Sequence, residues 1–160
     1  MSPSPVLEWF RDTPLAQTIR NSSWLLPTIE SAHLVGYGLL IGTILAVDLR
    51  LLGLGVRRQP ASQIAEELAP WTLGALVLAM GTGVLLFSYD PLTFYANKAF
   101  PYKVALLVAA VVFHYTSHSK VTRVGGPHVK LVWEQLAAAV SLALWLAVAL
   151  AGLAISLQPF

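Results

Sequence analysis

The sequence predicts an all-α fold, a four-helix transmembrane bundle preceded by short amphipathic interfacial helices. Three observations predict it. The 160 residues are 56% hydrophobic and 11% charged, where a soluble domain carries roughly a quarter charged residues. The mean hydropathy is +0.68. Four stretches, 24–54, 69–89, 99–118 and 131–157, each supply the approximately 20 mainly apolar residues that a helical crossing of the hydrocarbon layer needs.

Before the first span, "PVLEWFRD" and "PLAQTIRN" each open with proline, which suits the first turn of a helix, and each carries the mixed composition of a surface-lying segment. The segment "MSPSPVLEWFRDTPLAQTIR" contains no apolar core of signal-peptide length and carries Glu8, Arg11, Asp12 and Arg20; the first span is expected to act as the targeting signal. Between spans two and three, the aromatic-rich "SYDPLTFYANKAFPYK" suits an interfacial loop or a short surface helix. It could form a docking surface with the N-terminal segment. No repeat or low-complexity tract breaks the chain, so residues 1–160 read as one domain.

Loop charge gives an orientation. Arg50, Arg57, Arg58, Lys120, Arg123 and Lys130 flank one side; Arg11, Arg20, Lys98 and Lys103 flank the other. The positive-inside rule then puts both termini outside the cytoplasm. Absence of cysteine excludes disulfides, thiolate metal sites and covalently attached haem. A net charge of +2 without a basic run excludes nucleic acid as a partner. No hydrolase nucleophile set, H-E-x-x-H or phosphate-binding glycine loop is present, so the expected role is non-catalytic. The expected partners are membrane lipid and other protein subunits.

The first span carries more polar side chains than insertion favours, since an ionised group at mid-membrane costs about 2.5–3.5 kcal/mol on insertion scales. Glu30, His33, Tyr37 and Asp48 share one helical face, within about 80°. Span three adds His114 and His118, one turn apart, with Lys103 on the same face. Three chemistries compete. A b-type haem would use His33 as an axial ligand, beside Gly36 and Gly38, with Met80 or His114 opposite and Glu30 and Tyr37 in support. By rise along the helix, His33 and Met80 both lie about 14 Å from their own helix ends, and His114 about 22 Å. Copper would use His33, Met80, His114 and His118, the last two also forming a possible metal pair. With no cofactor, Glu30, His33 and Tyr37 would bond one another and fix helix register in an anchoring subunit. Solvation of the histidines in "HYTSHSK" is the alternative to the metal pair.

Asp48 and Arg50 point apart on one helix. Each is expected to find its own ion-pair partner, Lys120 or Arg123 for Asp48 and Glu66 or Glu67 for Arg50. Small residues suggest helix contacts at Gly38 and Gly42, at Gly81 and Gly83, and at Ala147 and Ala151 beside Gly152.

Three stretches, "ESAHLVGYGLLIGTILAVDLRLLGLG" (30–55), "FPYKVALLVAAVVFHYTSH" (100–118) and "SLALWLAVALAGLAIS" (141–156), resemble a family of small four-helix bacterial inner-membrane proteins of unknown function. That family is itself similar to copper-resistance D proteins and, more distantly, to membrane b-type cytochromes. The most specific piece is H-x-x-G-(x)5-G-(x)5-D-L-R-L-L-G, matched by His33, Gly36, Gly42, Asp48, Leu49, Arg50, Leu51, Leu52 and Gly53. The resemblance implies the bundle fold and a shared importance for His33, Asp48 and Arg50. It carries no activity with it. Where related chains follow the glycine of span four with a basic residue, Gly152 here precedes Leu153. The expectation drawn from all of this is a membrane subunit of a larger assembly, with one b-type haem for electron transfer as its candidate cofactor. The alternatives are a copper-handling membrane protein and a cofactor-free anchor.

Overall fold

A computed structural model describes residues 5–54, 60–118, 120 and 131–157. Two short helices, α1 (Pro5–Arg11) and α2 (Pro14–Arg20), precede α3 (Leu25–Leu51) and α4 (Ala61–Tyr89). A six-residue helix, α5 (Pro91–Ala96), leads into α6 (Ala99–Phe113), which continues as a π-helical turn over His114–His118. The last helix is α7 (Leu131–Leu157). Four segments, Leu25–Leu51, Ala61–Tyr89, Ala99–Thr116 and Val132–Leu157, are long and apolar enough to cross a membrane. The chain is thus an all-α bundle with the composition of a multi-pass membrane protein.

The short elements form where the sequence caps them. Thr13 accepts a hydrogen bond from the Ala16 amide at 3.3 Å, with Pro14 in the first turn of α2. Asp90 does the same for α5, accepting from Thr93 at 3.3 Å ahead of Pro91. An N-cap acceptor followed by proline satisfies one orphan amide and omits another. The loop between spans two and three therefore contains the short helix that its composition allowed. At the far end of α3, Gly53 takes φ +79°, and the Leu54 amide reaches back to the Leu49 carbonyl at 2.8 Å. This is a Schellman closure, in which the left-handed residue is best glycine.

The four long helices pack as two hairpins. α3 lies along α4, α6 lies along α7, and the hairpins meet mainly where α3 touches α7, while α4 and α6 barely touch. Leu40, Ile44, Ala75, Ala110, Trp145 and Val148 form a buried apolar layer at the middle of the bundle. A second cluster, Val47, Leu51 and Ala138, lies nearer the α3 C-terminus.

The end of the bundle bearing His33 is capped by aromatic rings from four elements. Phe10 of α1 meets Phe87 of α4 edge-on at 5.8 Å, and Phe87 stacks on Phe100 of α6 at 5.4 Å and 12°. Phe94 of α5 packs on both Phe87 and Phe100. Arg20 ties α2 to this cap by donating to the Tyr89 carbonyl at 2.9 Å and to the Arg11 carbonyl. Two of the chain's free helix-end carbonyls are thereby satisfied. Asn97, buried, donates to the Ile155 carbonyl of α7 at 3.2 Å and accepts from the Ala99 amide at 2.9 Å, joining the α6–α7 hairpin at the same end.

Two sequence expectations change. α4 starts at Ala61 and runs through Pro70, rather than beginning at residue 69; its amphipathic first turns extend beyond the apolar span. Proline lacks an amide hydrogen, so the Glu66 carbonyl loses its helical donor there. The glycine expectations also divide. Added Cβ atoms at Gly38, Gly42 and Gly81 would meet nothing within 4 Å, whereas one at Gly36 would lie 3.1 Å from the Ala79 backbone nitrogen and from Leu78 Cγ. Close helix approach is at Gly36, and Gly38 and Gly42 face away from it. Gly36→Leu is therefore expected to destabilise the bundle by about 1–3 kcal/mol through overpacking, with Gly38→Leu near neutral. Detergent thermal melts of the two variants check this; equal melting points would refute it.

Candidate functional site

The polar residues of α3 separate into two sites at opposite ends of the central apolar layer. At one end, the His33 Nδ1 lies 3.0 Å from Thr82 Oγ1, whose own hydroxyl hydrogen goes to the Leu78 carbonyl at 2.6 Å. In the tautomer that carries a hydrogen on Nδ1, His33 donates to the Thr82 oxygen and its Nε2 holds the lone pair. The ring passes over Gly83, whose missing side chain leaves the space it uses: an added Cβ would be 3.3 Å from His33 Cε1. Tyr37 donates its hydroxyl to the Trp145 carbonyl on α7 at 3.0 Å. Lys103 of α6 reaches across to α7, where its Nζ would lie 3.5 Å from a Cβ on Gly152.

These contacts differ from the expected Glu30–His33–Tyr37 network. Glu30 is exposed, and His33 and Tyr37 find partners on different helices. Facing α4 and facing α7 use different sides of a broad helical stripe, which sequence spacing alone does not resolve.

At the other end, Asp48 and His118 are almost fully enclosed. Their relative side-chain exposures are 0% and 2%, and His118 Nε2 lies 2.6 Å from Asp48 Oδ1. His114 stacks on His118 with ring centroids 5.2 Å apart and planes at 19°, and Tyr115 packs edge-on against His114. The π-helical turn brings these rings together. A wider turn (i→i+5) places the fourth following residue differently from an α-helix, and such turns often occur at functional sites. Asp48 Oδ2, His114 Nδ1 and Ser141 Oγ are buried without a hydrogen-bond partner. Each is a group whose desolvation is not compensated within the protein.

Beside His114 and His118 lies a cavity of about 450 Å³. Thr43, Ile44 and Val47 line it from α3, Ala65, Glu66, Ala69 and Thr72 from α4, and His114, Tyr115 and His118 from the π turn. It occupies the inner end of the seam where α4 and α6 barely touch. The central layer of Leu40, Ile44, Ala75, Ala110, Trp145 and Val148 separates it from the His33 site.

The expected ligands are thus spread over the bundle. Met80 is 46% exposed; on α4 it is two residues from Thr82, about 160° around the helix, so its sulfur points away from the His33 side. His114 lines a cavity level with Thr43, ten residues or about 15 Å along α3 from His33, whereas two nitrogens on one metal ion stand about 4 Å apart. Neither Met80 nor His114 stands opposite His33. His114 and His118 are adjacent, but no group of three or more His, Cys, Asp or Glu that could hold a metal ion occurs among the described residues. His118 is buried rather than solvated. Asp48 pairs with His118 and not with the expected Lys120, which is exposed; Arg123, the other expected partner, lies outside the described residues, as do Arg57, Arg58 and Lys130. A buried carboxylate in a membrane-spanning helix takes a donor from the bundle interior. Arg50 is half-buried near the end of α3, and Glu67 accepts a hydrogen bond from Gln63 at 2.9 Å.

Four apolar spans with buried polar sites between them define a helical integral membrane protein. The chain belongs to a family of unknown function (DUF6644), which matches residues 8–158. No curated protein and no solved structure matches it.

If the Asp48–His118 bond links the hairpins, Asp48→Ala strips His118 Nε2 of its acceptor and is expected to cost about 1–3 kcal/mol. The double variant Asp48→Ala/His118→Ala should cost less than the sum of the single variants. Unfolding in mixed micelles measures all three, and strict additivity would remove the link.

Proposed function

We propose that this chain is a non-catalytic integral membrane subunit of a larger assembly, whose working centre exchanges a proton at the Asp48–His118 pair. The observation that carries the reading is that pair's 2.6 Å hydrogen bond, made between two almost wholly enclosed ionisable groups. Such groups inside a membrane domain are costly to keep and commonly mark ion pathways or proton relays. The bond is short enough for one proton to be shared between the two partners. His114 stacks on His118, and both rings line the cavity, where a proton could be passed outward. The apolar layer beyond Ile44 opposes passage to the His33 end. The centre therefore takes up and returns protons on one side, which suits a component that couples to a partner more than a channel.

Loop charge supports an inner-membrane location with both termini periplasmic, which would put the Asp48 end on the cytoplasmic side. The capped end, with α1, α2 and α5, is then the surface a periplasmic partner would meet.

A b-type haem is not part of this reading. The Thr82 contact at His33 Nδ1 leaves Nε2 for an axial bond, but the residues expected opposite it do not fit a second axial position. The expected resemblance to copper-resistance D proteins would favour copper only through His114 and His118, since Met80 is turned from the His33 side and lies about three helical turns along α4 from Ala69 at the other site.

Two measurements test the proposal. In bilayers of protein labelled with ¹⁵N-histidine and ¹³C-aspartate, the His118 ring and Asp48 carboxyl signals are expected to change together between pH 5 and 9, and His118 to lose that coupling in Asp48→Asn. A His118 signal fixed over the whole range would overturn the proton-exchange reading. Protein produced with added haem is expected to show no Soret band that His33→Ala removes; such a band would return haem to the centre of the function.

A further inference from the structure

The cavity at the Asp48 end has a wall of unusual hydrogen-bonding character. Thr72 spends its hydroxyl hydrogen on the Leu68 carbonyl at 3.0 Å, and Thr43 spends its own on the Leu40 carbonyl at 3.0 Å. What both threonines present beyond those bonds is acceptor lone pairs. Glu66 adds a carboxylate at the exposed rim, and its backbone carbonyl has no helical donor because residue 70 is proline. His114, whose Nδ1 has no partner, can accept or donate according to its tautomer. The remainder of the wall, including Ile44, Val47 and Ala69, is apolar.

A ligand for such a site must bring donors. Its body must also be apolar, because Ile44, Val47 and Ala69 give an apolar wall where α4 and α6 barely touch, and the Phe87–Phe100 stack closes that seam at the His33 end. A cationic head is disfavoured, since the deeper acceptors are neutral oxygens of Thr43 and Thr72 and a charge carried below the rim is expensive. A neutral hydroxyl that both donates and accepts matches the threonines, Glu66 and either tautomer of His114. About 450 Å³ is within the usual range for a site holding one small ligand.

We propose that this cleft binds a membrane-soluble hydroquinone, its ring between Val47 and Ala69 and its hydroxyl groups toward Thr72 and His114. The proposal rests on the reading of the Asp48 end as the working centre. Binding alone is proposed, with no change in the oxidation state of the ligand.

The test uses the full chain in phosphatidylcholine nanodiscs, with a decyl-substituted benzoquinol as probe and its dimethyl ether as control. The two share an apolar body, and only the first can donate. Calorimetric titration is expected to show saturable binding of the benzoquinol at least tenfold tighter than that of the ether. Ala69→Phe, which fills the cleft, should abolish it; Thr72→Val and His114→Phe should each weaken it about tenfold, and Met80→Leu should leave it unchanged. Thermal melts establish that each variant is folded, and Ala69→Phe and Thr72→Val carry the comparison if His114→Phe is not. Equal binding of the benzoquinol and the ether would reduce the effect to partition into lipid and overturn the proposal, as would wild-type binding in Ala69→Phe. Displacement of the probe by added phosphatidylethanolamine at bilayer concentration would assign the cleft to phospholipid instead. Loss of quinol binding with coupled Asp48–His118 titration intact refutes this inference alone, and the reverse pattern refutes the proton-exchange reading alone.

Discussion

The hydrogen bond between Asp48 and His118 joins the two halves of this bundle beside the apolar cluster of Val47, Leu51 and Ala138. Lipid chains are as apolar as leucine, so the hydrophobic effect that drives soluble cores contributes little to bringing membrane helices together. Within the α3–α4 hairpin, close approach at Gly36 supplies contact. Between the hairpins the described polar ties are few: Asp48 to His118 at one end, and Tyr37 to the Trp145 carbonyl on the far side of the central layer. A buried acid with no acceptable alternative in hydrocarbon selects one arrangement of α3 against the π turn. Its cost is what makes it specific, as with other buried polar pairs that fix register.

The same bond organises chemistry by depth. Above it, on the α3 axis, come Ile44 and Leu40, part of the buried apolar layer. Beyond the layer stand Tyr37 and His33, each held by a partner on another helix. The molecule thus has two polar compartments with separate hydrogen-bond economies, one shielded by an aromatic cap and one beside a cleft. The second combines ionisable groups, buried polar atoms without partners among the described residues, and space.

Much of the fold was legible in residue patterns. Length and hydropathy identify four crossings, and the prolines at positions 5, 14 and 91 mark short helices that do form. The partners of the polar residues were not legible. Counted from Trp24 and Ala99, Asp48 is 24 residues along its span and His118 only 19, a difference of about 7.5 Å at helical rise, so the count separates two groups that touch. Helix ends at unequal heights and a π-helical turn close that gap, and neither leaves a trace in hydropathy. The glycines show the same limit: Gly36 and Gly38 are two residues apart, yet one is pressed against α4 and the other faces open space. Composition says that a small residue is present, and the rotation of the helix decides what its smallness is for. Hydropathy places the start of span two at residue 69, whereas α4 begins at Ala61 and passes through Pro70 with the loss of one backbone bond.

The division into two hairpins has a consequence for how the protein is made. Each hairpin joins helices adjacent in sequence, so α3 and α4 can complete their contacts while α6 and α7 are still being synthesised. During that interval Asp48 faces the seam without His118, an acid waiting at the edge of a half-built bundle. A chain truncated before residue 118, or a second half that inserts wrongly, leaves that carboxylate exposed to lipid. Asp48 thereby marks incomplete molecules chemically, in a form that membrane quality control can act on before the protein meets any partner.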